Sequence, residues 1–304
     1  MASLIPSSFQ DNLRGAAFMV ASMFSFAVND TVSKSFGSQL PVGEFMLVRG
    51  LFATTFILLV ATAIGPMRPL HHVLKPMIAL RSLGEAAATV AFLAALWHMP
   101  IANVSAVMQA LPLAMTVAAA LLFGETIGWR RIAAILAGLF GVLVILRPAS
   151  GGFGIYAFYL VFSVAACVVR DLATRRMGES VPAFFLTFAT ALAVTITGGA
   201  IALGEPLSPI GGGDLAWLAG GSLFLVAGYH FSVLAMRVGD IGFVAPFRYS
   251  VLLFSIAGGM VAFGEIPDWA TLAGAAIVVA AGVYTFHRER LRLRQAIGEG
   301  ALAQ

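Results

Sequence analysis

The sequence predicts an all-α integral membrane protein with ten transmembrane helices, built as two repeats of five helices. Composition is the first observation that predicts this class. Charged residues make up 11% of the 304 residues and hydrophobic residues 60%, and the mean hydropathy is +0.95, whereas a soluble domain carries about 25% charged residues. Long stretches without a charged residue are the second observation. A short phrase that occurs twice is the third.

The uncharged stretches approach or exceed the roughly 20 apolar residues that a membrane-spanning helix needs. Residues 148–169 and 181–204 are two of them, and residues 86–124 form a run too long for one span. Pro100 disfavours helix in the residue before it, so this run divides into two helices near residues 98–103. β-Barrel strands would alternate polar and apolar residues, which these runs do not. The predicted helices are 15–36, 43–65, 74–98, 101–123, 130–146, 153–174, 182–203, 214–236, 241–263 and 269–287.

Basic residues in the loops predict the orientation of these helices. With the N-terminus in the cytoplasm, thirteen Lys and Arg residues lie inside, and only Lys34 and Arg147 lie outside. Because cytoplasmic loops carry the excess of Lys and Arg, both termini are predicted to be cytoplasmic. We therefore expect a multi-pass protein of the plasma membrane (a bacterial inner membrane), with residues 287–304 as a basic cytoplasmic tail. The net charge of +4 then indicates contact with the lipid bilayer and not with nucleic acid.

The repeated phrase defines the two halves of the chain. A Phe-Gly-Glu triplet followed by Trp four residues after the Glu occurs twice, 140 residues apart, as Phe123, Gly124, Glu125 and Trp129 and as Phe263, Gly264, Glu265 and Trp269. A second set matches at a shift of 141, with Asp30, Lys34, Gly37 and Pro41 against Asp171, Arg175, Gly178 and Pro182. The repeats are therefore 15–146 and 154–286. Because each has five helices, the second enters the membrane from the opposite side, a plan common among secondary transporters.

The glutamates of the phrase fall at two different membrane faces in this topology. Glu125 lies at a cytoplasmic turn and Glu265 at an outer turn, so they cannot form one site. Each precedes a predicted helix, where the helix dipole favours a negative charge. We expect a turn-and-cap role, with contact to a gate as the alternative.

These halves resemble the drug/metabolite transporter superfamily, and in particular its ten-helix EamA-type family. The resemblance rests on the duplicated "FGE" and on the Gly-rich fifth helices, "RRIAAILAGLFGVLVIL" and "ATLAGAAIVVAAGVYTF". It implies transport of small organic molecules without ATP, through a central cavity lined mainly by helices 1–4 and 6–9 of the ten predicted helices.

Seven polar residues are candidate cargo ligands, because polar groups deep in a membrane usually face the protein interior or water. Five lie at depths of roughly 10–14 Å, close to the midplane, and Gln109 and Tyr249 are also equivalent in the two repeats. The arginines suit a cargo carboxylate, and Glu85 suits a cargo ammonium or a proton. An internal Arg81–Glu85 salt bridge is the alternative for Glu85. The seven candidates are Asn29, Arg49, Glu85, Gln109, His230, Arg248 and Tyr249.

Coupling or gating is predicted for a further set of residues, which includes Glu85. Asp30 and Asp171 each precede a basic residue by four positions, Lys34 and Arg175, so the alternative is a salt bridge at a helix end. Pro112 and Pro246 lie inside predicted helices and interrupt their hydrogen bonding, either as hinges or as packing kinks.

The sequence carries no HExxH or GxSxG motif and no metal-like histidine spacing. We therefore predict a transporter and not an enzyme, with no catalytic residue, metal or cofactor. The mixed charges near the midplane suit export of amino acids or similar zwitterions by alternating access. Uptake or exchange of a nucleoside-containing metabolite or a drug-like cation is the alternative, followed by a lipid-carrier flippase. The small residues Ala133, Ala137 and Gly141 favour close helix packing within a monomer or a weak homodimer.

Overall fold

The computed structural model describes residues 9–64, 75–123, 128–147, 154–177, 181 and 183–302. Ten segments in this part of the chain are long and apolar enough to cross a membrane, which confirms the predicted number. The described elements are α1 (Phe9–Ser35), α2 (Val42–Ile64), α3 (Pro76–His98), α4 (Ile101–Met108), α5 (Leu111–Phe123), α6 (Trp129–Leu146), α7 (Ile155–Met177), α8 (Ala183–Ala202), α9 (Gly212–Val238), α10 (Ile241–Val244), a 3₁₀ segment (Ala245–Ser250), α11 (Val251–Phe263) and α12 (Trp269–Leu302).

Two predicted membrane-spanning helices are broken part-way along their length. Predicted helix 101–123 divides into α4 and α5 at Gln109 and Ala110, just before Pro112. Predicted helix 241–263 divides into α10, the 3₁₀ segment and α11, and Pro246 lies in the first turn of the 3₁₀ segment. Proline has no N–H to donate and fits the first turn of a helical segment best, so each break falls next to its proline.

Helices pair between the two predicted repeats. The most extensive pairings are α1 with α9, α3 with α7, α2 with α8, and α6 with α12. The Ser22 hydroxyl donates to the Gly228 carbonyl at 2.7 Å, and the Ser163 hydroxyl donates to the Ala88 carbonyl at 2.9 Å. The two hydrogen bonds join equivalent positions, with the repeat that supplies the donor exchanged. Ser163 follows Ser22 by 141 residues, and Gly228 follows Ala88 by 140.

Of the small residues of α6, Gly141 packs inside the protein against α12, whereas Ala133 and Ala137 are exposed. A Cβ atom at Gly141 would lie 2.8 Å from the carbonyl oxygen of Gly274, and one at Gly274 would lie 2.7 Å from that of Gly141. The two backbones approach this closely only because neither residue has a side chain. Ala133 and Ala137 line a surface groove beside this contact.

Lys34 and Glu265 connect the end of α1 and the end of α11 with the start of α4. A Glu265 oxygen lies 2.5 Å from the Lys34 ammonium, and its other oxygen accepts the N–H of Ile101 at 2.9 Å. Lys34 also donates to the Met99 carbonyl. The predicted Asp30–Lys34 pair is therefore wrong, because Glu265 and Met99 bring closer acceptors to the end of α1.

Glu265 also caps a helix other than the predicted one. It binds the first N–H of α4, where the unpaired N–H groups of a helix start favour a carboxylate. Asp268 caps α12 itself, because it accepts the Thr271 N–H at 2.8 Å. Gly264 adopts a left-handed φ of 65° after α11, a conformation that glycine accepts at low cost. Glu125, the equivalent of Glu265, lies outside the described residues.

Candidate substrate-binding site

Two adjoining cavities lie between the helices, with volumes of about 490 Å³ and 300 Å³. The larger is within the range of 300–1,000 Å³ that is typical of small-molecule sites. Helices α1, α2, α3, α7 and α9 line it, together with α4 and the 3₁₀ segment. The residues that line both cavities are Arg49, Glu85, Thr89, Arg170, Leu225 and Tyr229.

Asn29 connects two charged residues at the larger cavity. The Arg49 guanidinium donates to Oδ1 of Asn29 at 3.0 Å, and Nδ2 of Asn29 donates to Oδ1 of Asp30 at 2.9 Å. All three line the larger cavity. Asn29 is buried, so both ends of its amide are used and its orientation is fixed. The structure thus brings together two predicted cargo ligands and one predicted coupling residue.

Glu85 pairs with Arg170 of α7. Oε2 of Glu85 lies 2.7 Å from Nη1 of Arg170, and Nε of the same arginine donates to Asp171 at 2.7 Å. The predicted Arg81–Glu85 salt bridge is therefore wrong. Arg81 turns to α7 and α8, where it binds Thr174, Thr190 and the Leu186 carbonyl, because α3 packs against both helices and supplies acceptors there.

Arg170 is a functional candidate that was not predicted from the sequence. The predicted orientation placed it among the thirteen basic residues of the cytoplasmic side, and not among the residues near the midplane. It lies seven residues before the end of α7 and lines both cavities. Its position next to the candidate Asp171, in a charge-poor stretch, is the one signal that pointed to it.

Arg248 lies on the 3₁₀ segment that interrupts the ninth span. Its side chain lines the larger cavity. Within the described part of the chain, no hydrogen bond or ion pair reaches its guanidinium. A guanidinium carries five N–H donors and needs acceptors when it leaves bulk water. Arg248 is therefore a cationic group at the cavity that the described protein residues leave without an acceptor.

The other predicted cargo ligands take different positions. Gln109 lines the larger cavity and its amide donates weakly to Ser105 at 3.4 Å. Tyr249 is buried against Gly282 of α12, with an unpaired hydroxyl, and it lines neither cavity. His230 is exposed beside Phe231 and also lines neither cavity. Its neighbour Tyr229 takes the cavity-facing position instead, since successive helix residues point about 100° apart.

No group of three His, Cys, Asp or Glu residues suited to a metal occurs in the described part of the chain.

The comparisons with known proteins agree with this architecture. Residues 13–147 match the EamA-like transporter family. The chain is similar to the S-adenosylmethionine uptake transporter of Rickettsia prowazekii, with 24% identity over 91% of this chain and 94% of that protein. The first half of the chain is thus similar to the EamA-like transporter family, and nearly the whole chain is similar to this relative. The matched family and this relative are transporters, in agreement with the predicted class.

Other relatives of this chain are named for different cargoes. The pseudopaline exporter CntI of Pseudomonas aeruginosa is 27% identical over 88% of this chain and 94% of its own length. The riboflavin transporter of Rhizobium johnstonii is 29% identical over 92% and 93%. One crystal structure shares the fold at a TM-score of 0.58 and 21% identity, covering 90% of this chain and 98% of that chain. The coarse function common to these relatives is membrane transport of a small metabolite.

Proposed function

We propose that this EamA-like protein is an ATP-independent secondary transporter that moves a small zwitterionic metabolite by alternating access, with amino-acid export as the first choice. The unpartnered guanidinium of Arg248 in the larger cavity carries this proposal. An arginine fork binds a carboxylate through two parallel hydrogen bonds, so a cargo carboxylate supplies the acceptors that Arg248 lacks.

Alternating access rests on the proposed inverted repeat and on cytoplasmic termini. The reciprocal bonds of Ser22 with Gly228 and of Ser163 with Ala88 support the repeat. The hydroxyls of Thr54 and Thr195 form a hydrogen bond of 3.1 Å. These two residues are 141 apart and so occupy equivalent positions in the proposed repeats. Broken helices beside a cavity between two such halves are the usual cargo site of secondary transporters.

A nucleoside-containing cargo is the second candidate. S-adenosylmethionine, the cargo for which one relative is named, carries the α-amino and α-carboxylate groups of an amino acid together with a purine nucleoside. Phe26 and Tyr229 line the larger cavity and meet edge to face, with ring centroids 5.2 Å apart. Such aromatic rings can stack on a base or pack against an apolar amino-acid side chain.

The test is a counterflow screen in proteoliposomes that hold the purified protein. Vesicles are preloaded with one unlabelled compound and exposed to the same compound in labelled form, across amino acids, S-adenosylmethionine, riboflavin and organic cations. Accumulation of amino acids above empty vesicles is the expected result, and accumulation of S-adenosylmethionine alone favours the second candidate. If only compounds without a carboxylate accumulate, the proposal fails.

The same vesicles test whether a proton moves with the cargo. Glu85 and Asp30 are the proposed coupling residues, and both line the larger cavity. Coupling predicts that an imposed pH gradient drives net flux and that Glu85→Gln or Asp30→Asn removes this dependence. Flux that is equal with and without the gradient contradicts coupling and leaves the cargo proposal intact.

A further inference from the structure

We infer that Asp30, held in place by Asn29, binds the positively charged group of the cargo, and that Glu85 does not. This inference rests on the proposed transport of a zwitterion. It changes the role of Asp30 from a coupling or gating candidate to a specificity-determining ligand in the cavity that Arg248 also lines.

The charges that line the cavities are unequally satisfied. Among the described lining residues there are four arginines, Arg49, Arg81, Arg170 and Arg248, and three carboxylates, Asp30, Glu85 and Asp171. Arg170 binds both Glu85 and Asp171. Asp30 is the described lining carboxylate that no arginine contacts directly, since the Asn29 amide stands between it and Arg49.

The second oxygen of Asp30 is available to a ligand. Oδ1 accepts the Asn29 amide, whereas Oδ2 receives no hydrogen bond from the described residues and is not a buried atom. Asp30 lines the larger cavity, so Oδ2 faces open space there. A carboxylate with a free oxygen in a confined site attracts a cation more strongly than one in bulk water does.

Glu85 is a poorer partner for the same cation. Its Oε2 already accepts a charge-assisted hydrogen bond from Arg170 at 2.7 Å. A cargo ammonium at Glu85 would lie beside this guanidinium, and like charges at that distance repel each other. Glu85 therefore acts on the cargo through the position of Arg170.

Asp30 and Arg248 lie on elements that pack together. α1 contacts the 3₁₀ segment directly, and Met19, Met23 and Phe26 of α1 line the same cavity as Arg248. A zwitterion with its carboxylate at Arg248 and its ammonium at Asp30 satisfies one unpaired charge of each sign. A molecule with only one of these groups leaves the other site empty.

Binding of three related probes tests the assignment. Phenylalanine carries both charged groups, 3-phenylpropionate lacks the ammonium, and 2-phenylethylamine lacks the carboxylate. Dissociation constants are measured on purified wild type, Asp30→Asn, Asp30→Glu and Glu85→Gln by displacement of labelled phenylalanine, and by thermal stabilisation for variants that no longer retain the label. The readout is the ratio of affinities for phenylalanine and 3-phenylpropionate.

Asp30→Asn is expected to weaken phenylalanine binding by about 10- to 100-fold, the cost of one hydrogen bond to a charged group, and to leave 3-phenylpropionate within about twofold. Asp30→Glu should recover part of the loss because it restores the charge. Glu85→Gln should change both probes by the same factor. Retained 3-phenylpropionate binding shows that Asp30→Asn is folded.

Three outcomes would overturn the assignment. Equal weakening of both probes by Asp30→Asn assigns Asp30 to structure or to proton coupling. Selective loss of phenylalanine in Glu85→Gln, with Asp30→Asn unchanged, assigns the ammonium to Glu85. If wild type binds 3-phenylpropionate as tightly as phenylalanine, the protein does not recognise a zwitterion and the proposed function fails with the assignment. The first two outcomes leave the proposed function standing.

Discussion

The cations of Arg170 and Arg248 line the same cavity, but only Arg170 has partners within the described protein. Arg170 is bound by Glu85 and Asp171, each at 2.7 Å, whereas no described residue binds Arg248. A buried ion pair already has its charges compensated, so it contributes to the architecture and adds little attraction for a ligand. A cation without a protein partner has its full hydrogen-bonding capacity left for cargo. The comparison separates charges that the protein pairs internally from the charge that we propose binds cargo.

Removal of Arg170 should produce the largest loss of stability. Arg170→Ala leaves Glu85 as an uncompensated charge in the membrane interior, and breaking such a pair costs about 3–5 kcal/mol. We expect a clearly lower melting temperature of the purified protein. The double variant Glu85→Gln with Arg170→Met, which removes both charges, should recover most of the loss. A single variant as stable as the wild type would mean that water already compensates Glu85.

Removal of Arg248 should affect transport and leave stability nearly unchanged. Arg248→Ala loses the proposed carboxylate contact, worth about 1.5–3 kcal/mol, so counterflow at low cargo concentration should fall about 10- to 100-fold. Arg248→Lys should recover only part, because lysine lacks the planar fork. Arg130→Ala is the matched control, since Arg130 is exposed and lies over the Trp129 ring. Normal flux in Arg248→Ala would remove Arg248 from the site.

Loss of the Glu265 contacts should have an intermediate effect. Glu265→Gln removes the charge that binds Lys34 and the first N–H of α4, at a cost of about 1–3 kcal/mol. We expect a lower melting temperature, together with faster exchange of the Ile101 amide in hydrogen-exchange mass spectrometry. Unchanged exchange there would show that Glu265 does not hold the start of α4 in solution.

The smallest effect concerns Asp268, which lies outside the membrane-spanning segments. The Thr271 N–H donates to its carboxylate and lowers its pKa below the usual value, and Arg147 acts in the same direction. A lowered pKa in the folded state stabilises the protein above the unfolded pKa of about 3.9, and this contribution is lost as the pH falls through the folded pKa. Asp268→Asn should therefore lower the melting temperature slightly at pH 7 and progressively less below pH ~4. A difference that stays constant from pH 7 to pH 3 would contradict this origin.

The residues 109–112 illustrate what could be predicted locally. Pro112 pointed to a break, because a proline inside a helix removes a backbone hydrogen bond wherever the helix packs. The structure has this break at Gln109 and Ala110, just before Pro112. His230 illustrates the limit. The depth of His230 along α9 could be predicted, but the direction of its side chain could not. α9 is apolar nearly all round and carries no periodicity that distinguishes a cavity-facing side from a lipid-facing side.

The sequence by itself determined the class of this protein and the number of its spans, because the length of an apolar segment does not depend on which helices meet. Only the tertiary structure decided which charges pair. Sequence spacing predicted i,i+4 contacts of Arg81 with Glu85 and of Asp30 with Lys34. In the folded protein Glu85 pairs with Arg170, 85 residues away, and Lys34 pairs with Glu265, 231 residues away. A charge in a membrane protein takes the partner that packing brings nearest, and that left Arg248 and one oxygen of Asp30 open to the cavity.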